Sequence, residues 1–343
     1  MSSYSRRSFV LGTGGAAASL ALARFAGAPP AGAQDSVKAT MQLGWIANVE
    51  NSGEFVAQEN GYYAAEGVDL TIEPGGPAVA VEPVVVSGKA LVGLSQPDFV
   101  ARARAEGAAL KVIAATFQRN PAAVMSLASA PIATPQELAG KRLGIQQQGV
   151  PIYDAFFTSI GMDPKTVEYV PVQFDPAPLV SGDVDAFVSF QTNQPIQLQL
   201  QDIGTTTFLL ADYGFNLFSD SLFVTEETLA DAEKRATVVK IVRATMKGWQ
   251  DAIADPAAAA KLVVEKYGKS LNLDLEAQTL TAKAQIPLIE TDETKANGLL
   301  TMSERGIQEN IQTLTNSGIQ TTAEEIFDTS ILAEIGNMAT PTA

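Results

Sequence analysis

Short apolar stretches alternate with longer amphipathic stretches through the first third of the chain. Residues 40–45 and 68–73 have the length and apolar content of buried strands, and residues 53–66 between them have helical spacing. Gly67 follows the helical stretch, where a glycine commonly ends a helix. The unit is therefore predicted to be strand, helix, strand. The alternation continues with strands at 90–94 and 110–116 and helices at 79–87 and 98–106.

A second series of the same kind begins after Asn120 and Pro121, which interrupt the pattern. Its strands are predicted at 123–127, 142–146, 168–171, 186–189, 208–210 and 222–225. Its helices are predicted at 135–139, 152–160 and 177–181. This alternation is typical of an α/β fold in which helices flank open, mostly parallel sheets.

The last third of the chain is predicted to be almost wholly helical. The helical stretches are 232–254, 256–266, 274–284, 301–318 and 322–336. Two α/β units with helices returning to one of them predict a two-lobed molecule. We expect lobe 1 to comprise 34–119 and 226–343 and lobe 2 to comprise 120–225. Because strand ends of open α/β sheets surround a crevice, a ligand cleft is expected between the lobes.

The first 33 residues have the pattern of an export signal. Residues 5–11 read SRRSFVL, an apolar small-residue run follows, and Ala33 ends an A-x-A cleavage pattern before Gln34. This predicts a twin-arginine signal peptide over 1–33, cleaved near Ala33. A membrane anchor is the alternative, but Arg24 interrupts a run already weakened by alanine and glycine.

The chain has no cysteine, which excludes a lipid-anchored protein and disulfides. We therefore expect a periplasmic protein that does not insert into the membrane after signal cleavage. The chain also has no histidine. Ser-His-Asp and Cys-His pairs and sites built on thiolate or imidazole ligands are thereby excluded. Carboxylate-only or lysine chemistry remains open but shows no paired motif, so we expect no enzyme, no catalytic residue, no metal and no cofactor.

The charge balance restricts the partners. The chain has 23 Lys+Arg against 38 Asp+Glu, and without the three leader arginines the balance is 20 against 38, a net charge of −18. Such acidity argues against nucleic acid or an anionic membrane as a partner.

Several short segments together resemble a known family. They are LGWIAN at 43–48, GYY at 61–63, EGVDL at 66–70, LAGKRLG at 138–144 and GDVDA at 182–186. Their order and spacing resemble the periplasmic solute-binding proteins of ABC importers that include thiamine-pyrimidine, riboflavin, nitrate, sulfonate and taurine binders. The resemblance covers residues from about 40 to 270. It implies the two-lobed, type II periplasmic binding protein fold, a small-molecule ligand, an inner-membrane ABC permease as partner, and a monomer.

The Trp-x-x-Asn start at Trp45 and Asn48 resembles the branch that binds flat nitrogen heterocycles. An indole at a strand end offers a face for stacking, and neighbouring amides can read ring nitrogens. Pyrimidine binders commonly have a histidine where this chain has Asn51. This departure leaves the exact ligand open and argues against the enzymatic relative that builds a pyrimidine from its own histidine. The alternative for Trp45 is packing against Phe55 or Tyr62.

The other candidate ligand contacts lie where predicted strands end. They are Gly75, Gly76, Ser95, Gln96, Phe117, Gln118 and Arg119 in the first lobe and Gln146, Gln148, Phe190, Gln191 and Asn193 in the second. Tyr213 is the candidate for a second aromatic face, with Phe215 as its alternative. Simpler interpretations are a turn for the glycines, helix capping for Ser95, an ion pair for Arg119 and a solvated loop for the glutamines.

The sequence therefore predicts an ABC-transporter substrate-binding protein for a thiamine-precursor-type pyrimidine or a related flat heterocycle such as riboflavin. Amides and aromatics dominate the candidate contacts, with Arg119 the only cation. A sulfonate, taurine or nitrate binder of the same family is the alternative. A sensor without a transport role, or a pyrimidine-metabolism enzyme of the same fold, is the second alternative.

Overall fold

The computed structural model describes residues 36–76 and 78–336, except that only the backbone of Gln148 is described. The predicted signal peptide lies outside these residues. In the described part of the chain, no helix has the length and apolarity required to cross a membrane.

The described residues form ten strands in two five-stranded sheets. They are β1 Val37–Gln42, β2 Val68–Glu73, β3 Val92–Ser95, β4 Leu110–Phe117, β5 Ala122–Leu127, β6 Arg142–Ile145, β7 Glu168–Pro171, β8 Ala186–Phe190, β9 Thr205–Leu209 and β10 Ser219–Thr225. The first sheet has the order β2-β1-β3-β10-β4 and the second β7-β6-β8-β5-β9. Only β10 and β5 run antiparallel to their neighbours, so both sheets are mostly parallel.

The α-helices of the described part flank these sheets. They are α1 Ser52–Glu59, α2 Tyr62–Ala65, α3 Val81–Val86, α4 Pro97–Ala105, α5 Val150–Ser159, α6 Ala177–Ser181, α7 Gln194–Gln199, α8 Glu226–Ala230, α9 Ala232–Ala254, α10 Pro256–Leu262, α11 Leu275–Ile289, α12 Asp292–Asn297, α13 Glu304–Asn316, α14 Ala323–Ile326 and α15 Ser330–Ile335. Two such units confirm the predicted α/β, two-lobed fold.

Strand β10 differs from the sequence-based expectation. It lies within 120–225, the segment assigned to lobe 2, yet it pairs with β3 and β4 of the first sheet. Leu222 and Val224 on β10 are buried in the same core cluster as Val238 and Ile241 of α9. Burial of this apolar face stabilises β10 in the first sheet. The first sheet thus contains a strand from the segment that was assigned to lobe 2, and the remaining lobe boundaries stay a prediction.

Several predicted helices differ in extent from those of the structure, and two of them lie near the first sheet. The stretch 53–66 forms two helices, because Gly61 adopts a left-handed conformation with φ +71° between α1 and α2. The stretch predicted at 274–284 extends to Ile289, with Pro287 inside the last turn of α11. That extension carries Gln285 and Leu288 toward the first lobe, where both are buried.

Helices α1 and α9 pack closely because glycines meet at their contact. A Cβ added at Gly248 would lie 2.0 Å from the carbonyl oxygen of Gly53, and one added at Gly53 would lie 2.3 Å from the Trp249 ring. Trp249 is fully buried in this contact. The close packing fixes α1, and with it the turn Val49–Asn51 that precedes α1.

Candidate functional site

The first sheet brings several chain segments to one edge. Parallel strands β1, β3 and β4 end at this edge, and the antiparallel β10 begins there, with Ser219 opposite Phe117 and Ser221 opposite Ser95. The segment from Leu43 to the turn Val49–Asn51 leaves the same edge after β1. Proteins with open α/β sheets bind ligands at the edge where the parallel strands have their C-terminal ends, so this edge is the candidate site.

An aromatic contact joins the two lobes at this edge. The Trp45 and Phe174 ring centroids are 4.6 Å apart, and the rings meet edge to face at 68°. Trp45 follows β1 of the first sheet, whereas Phe174 follows β7 of the second. Both side chains are half-buried. The sequence-based candidates did not include Phe174, although an aromatic residue three positions after a strand end was a usable signal.

The other aromatic candidates have different partners. Phe55 stacks on Tyr267 with centroids 4.2 Å apart, rather than on Trp45. Tyr213 meets Phe208 edge to face, and Phe215 is buried against Phe156. The structure therefore places Phe174, rather than Tyr213, beside Trp45.

Glutamines of α11 hold the turn Val49–Asn51 in place. Gln278 Oε1 accepts a hydrogen bond from Val49 N at 3.1 Å, and Gln285 Nε2 donates to Val49 O at 2.9 Å. Asn48 Oδ1 accepts from Glu50 N at 3.0 Å and so caps the turn. Asn48 and Asn51 are both buried. The sequence-based prediction did not include the α11 glutamines, because nothing local indicates that they reach a turn more than 200 residues away.

The predicted glycine pair holds two loops together. Gly75 N donates to Trp45 O at 2.7 Å, and a Cβ at Gly75 would lie 2.2 Å from Leu43 O. The adjacent Gly76 has φ +148°. Gln42 Nε2 also connects these loops, because it donates hydrogen bonds to the carbonyl oxygens of Leu43 and Pro74. The glycines therefore allow the loop after β2 to approach the backbone that carries Trp45.

The remaining first-lobe candidates are largely engaged within the protein. Ser95 Oγ donates to Glu82 Oε1, and Gln96 is the half-buried residue preceding α4. Gln118 Nε2 donates to the carbonyl oxygens of Ala115 and Thr301. Phe117 is 1% exposed and packs in the first-lobe core. Arg119 forms an ion pair with Asp212, and both side chains are about half exposed.

The second-lobe candidates lie in two loops. Gln146 precedes the turn Gln147–Gly149 that leads into α5, and the side chain of Gln148 lies outside the described residues. Phe190 is half-buried, and its backbone N–H donates to Gln194 Oε1. Gln191 is exposed, and Asn193 Oδ1 accepts from Gln197 Nε2 at 2.7 Å. Helix α7, which follows this loop, contacts α11 of the first lobe.

Three carboxyl groups that were not predicted gather at the first-lobe edge. Glu54 is fully buried; its Oε1 accepts from Trp249 Nε1 at 3.3 Å, and its Oε2 has no hydrogen-bond partner. Burial raises the pKa of Glu54 to about 7. Glu50 lies in the turn Val49–Asn51, and Asp220 lies at the start of β10 with φ +45°.

Glu50 and Asp220 contact each other through their side chains. Burial, and then the nearby Glu50 carboxylate, raise the pKa of Asp220 well above its ordinary range. Burial also raises the pKa of Glu50, against hydrogen bonds from Asp220 and Asn48 that lower it. Both carboxyl groups therefore have a raised pKa and lose their protons at a higher pH than exposed carboxyl groups do. No described lysine or arginine contributes to either shift.

The described residues hold no cluster of acidic side chains arranged to bind a metal ion. The candidate site thus combines the Trp45–Phe174 pair, the turn Val49–Asn51 held in place by α11, and the carboxyl groups of Glu50, Glu54 and Asp220.

Solved structures share this fold. The ligand-binding component of an ABC-type import system from Staphylococcus aureus is 12% identical, with 88% of this chain and 100% of that chain covered at a TM-score of 0.62. The periplasmic aliphatic sulphonate binding protein SsuA from Escherichia coli is also 12% identical, with 83% and 88% covered at a TM-score of 0.59. At this identity the likeness concerns the fold alone.

Relatives by sequence are both binding proteins and enzymes. The chain is 27% identical to the riboflavin-binding protein RibY of Chloroflexus aurantiacus, covering 79% of each. It is 27% identical to the formylaminopyrimidine-binding protein of Halalkalibacterium halodurans, covering 76% of each. It is 29% identical to 4-amino-5-hydroxymethyl-2-methylpyrimidine phosphate synthase of Legionella pneumophila, covering 66% of this chain and 73% of that protein.

The family model described as NMT1/THI5 like matches residues 48–259. This span includes the turn Val49–Asn51, α1 and most of both sheets. Because it is more than half of the chain, the protein belongs to the NMT1/THI5-like family.

Proposed function

We propose that this protein is the substrate-binding component of an ABC importer and that it captures a flat nitrogen heterocycle in the periplasm. The ligand is a thiamine-precursor-type pyrimidine or a related heterocycle such as riboflavin, which the protein delivers to an inner-membrane permease as a monomer. Its relatives that bind riboflavin and formylaminopyrimidine support this ligand class.

The contact between Trp45 and Phe174 is the observation that carries the proposal. One ring comes from each lobe, and each is half-buried at the cleft. A flat heterocycle entering between the lobes stacks on the indole once the phenyl ring has moved aside, because the 4.6 Å between the two ring centroids leaves no room for a third ring. The turn that carries Asn48 and Asn51 lies a few residues from Trp45 and supplies polar groups beside the stacked ring.

The charges at the cleft favour a heterocycle over a sulfonate. An anion site requires cations or free backbone N–H groups that converge on one point. Arg119, the candidate cation, is paired with Asp212, and the first-lobe edge carries Glu50 and Asp220. Likeness to the sulphonate binder extends to the fold only, at 12% identity.

Binding without chemical conversion is the proposed activity, although the family includes a phosphate synthase. The chain has no histidine and no cysteine to serve as a base or nucleophile. Incubation of the purified protein with the bound pyrimidine should yield no product by chromatography. Turnover would restore the enzymatic alternative, and the absence of permease and ATPase genes beside this one would favour a sensor.

The experiment that tests the ligand class is a fluorescence titration of residues 34–343, refolded to remove any carried ligand. The probes are hydroxymethylpyrimidine, formylaminopyrimidine, riboflavin and taurine. The chain has two tryptophans, so Trp249→Phe leaves Trp45 as the only reporter. We expect saturable quenching by a heterocycle in both proteins.

Trp45→Ala is expected to weaken heterocycle binding by roughly 5- to 150-fold, since stacking of a base on an aromatic ring contributes about 1–3 kcal/mol. Calorimetry replaces fluorescence for this variant, because the reporter is lost. Phe99→Ala is the control, because Phe99 is a partly exposed aromatic residue on α4. A wild-type response to taurine alone, or unchanged affinity in Trp45→Ala, would contradict the proposal.

A further inference from the structure

We propose that Phe174 is a plug, whose ring occupies the place beside the Trp45 indole until a ligand displaces it. This inference rests on the proposed function and adds a conformational step to it. It makes Phe174 a residue that competes with the ligand for the indole, so the protein holds its own stacking site closed.

The space between the two rings is too narrow for a ligand. Their centroids are 4.6 Å apart and their planes meet at 68°, so the edge of one ring lies against the face of the other. A flat ring inserted between them would require about 7–8 Å, because carbon atoms in contact lie about 3.5–4.0 Å apart on each side. A ligand that stacks on the indole must therefore displace the phenyl ring.

The backbone that carries Trp45 is held firmly within the first lobe. Trp45 O accepts a hydrogen bond from Gly75 N at 2.7 Å, and the next residue, Ile46, accepts one from Asn48 N at 2.8 Å. The loop after β2 lies so close to this backbone that a Cβ added at Gly75 would be 2.2 Å from Leu43 O. Movement of the segment would break these contacts, so we assign Trp45 as the fixed ring.

Phe174 lies on a short loop between β7 and α6 that is anchored on either side of it. Val172 N donates to Ile145 O at 3.1 Å before Phe174, and Asp175 Oδ1 accepts from Ala177 N at 2.9 Å after it. Among the described residues, Phe174 itself has no hydrogen-bond partner, through either its main chain or its side chain. Its ring can therefore leave the indole without breaking a hydrogen bond, which makes Phe174 the movable ring.

A plug imposes the same cost on every ligand that takes its place. The cost is the lost contact between Trp45 and Phe174, which does not depend on what replaces the phenyl ring. Apparent affinity is lowered according to the fraction of molecules in which the place is open. Removal of the Phe174 ring should therefore tighten the binding of different heterocycles by a similar factor. Removal of a residue that contacts the bound ligand would instead weaken binding.

Phe174→Ala tests this by calorimetry on residues 34–343, refolded to remove any carried ligand, with riboflavin and formylaminopyrimidine as probes. We expect binding to be tighter than in wild type by about 2- to 12-fold, the factor that corresponds to an edge-to-face aromatic pair. Val180→Ala is the matched control, because Val180 is an exposed apolar residue on the neighbouring helix α6. It should bind both probes as the wild-type protein does.

Quenching of tryptophan fluorescence by acrylamide tests the plug without any ligand. Trp249 is 1% exposed, so acrylamide reaches chiefly Trp45. Phe174→Ala should raise the quenching constant and shift the emission maximum to longer wavelength, because the indole loses the ring that covers it. Val180→Ala should change neither quantity.

The outcomes separate the inference from the proposed function. Weaker or unchanged heterocycle binding in Phe174→Ala, or unchanged acrylamide quenching, would overturn the inference while the heterocycle function stands. Binding of no heterocycle by either the wild-type protein or Phe174→Ala would overturn both.

Discussion

Glu54 shows how a single residue can lower stability at neutral pH. Its carboxyl is fully buried beside Trp249, and no described cation contributes to its titration. An ordinary glutamate pKa of 4.5 applies in the unfolded chain, and burial raises the folded pKa to about 7. Protonation of Glu54 thus favours the folded state. The stability associated with the protonated carboxyl is fully present below pH 4.5 and is lost as the pH rises through 7.

We therefore expect Glu54→Gln to stabilise the protein at pH 8 and to change little at pH 4.5. The gain at pH 8 should approach about 3 kcal/mol, because each pKa unit corresponds to about 1.4 kcal/mol. Denaturant unfolding at both pH values measures the difference from wild type. Glu59→Gln, an exposed change on the same helix, should show no such pH dependence. Equal effects of Glu54→Gln at both pH values would exclude this cause.

At the residue scale, the sequence made Trp45 and Asn48 candidate ligand contacts, because a family-like motif surrounds them. It did not identify Phe174, Glu50 or Asp220. Phe174 follows a weakly patterned strand, and a lone glutamate or aspartate between strands is usually a solvated residue. Which side chains lie beside these residues depends on segments that are distant in the chain.

At the element scale, the close contact of α1 and α9 supports the candidate site. Glycines at 53 and 248 allow these helices to approach, and α1 follows directly from the turn that carries Asn48 and Glu50. Helical periodicity in 53–66 and 232–254 predicted both helices. It did not predict which glycines meet, because that depends on the crossing point of the two axes.

Gly248→Ala is expected to destabilise the protein by about 2 kcal/mol. The added methyl group would overlap the Gly53 carbonyl oxygen and Ala57, and overpacking of this kind costs about 1–3 kcal/mol. This overpacking cost also exceeds the gain of up to about 1 kcal/mol in helix propensity that comes from replacing glycine with alanine. Thermal unfolding compares this variant with Gly149→Ala, whose Cβ would meet nothing closer than 3.5 Å. A stability equal to wild type would mean that the helices separate without cost.

At the scale of the whole molecule, the proposed periplasmic function requires that the protein be exported. The proposed route depends on Arg6 and Arg7 in the leader. Replacing both with lysine should retain the protein in the cytoplasm, because the twin-arginine signal is read as an address by its receptor. Fractionation of cells that produce the tagged full chain measures this. Arg24→Lys, a change outside the motif, should leave export intact, and a periplasmic double variant would exclude the twin-arginine route.

The sequence by itself determined the α/β class, the two-lobed organisation and the exclusion of histidine and cysteine chemistry. These follow from local periodicity and composition, which each short segment carries independently of the rest. The tertiary structure decided that β10 joins the first sheet, that Phe174 meets Trp45, and that Glu50 meets Asp220. Each of these pairings joins residues more than 100 positions apart. They form because the whole chain buries its apolar faces together, and no local pattern records which distant partner that burial selects.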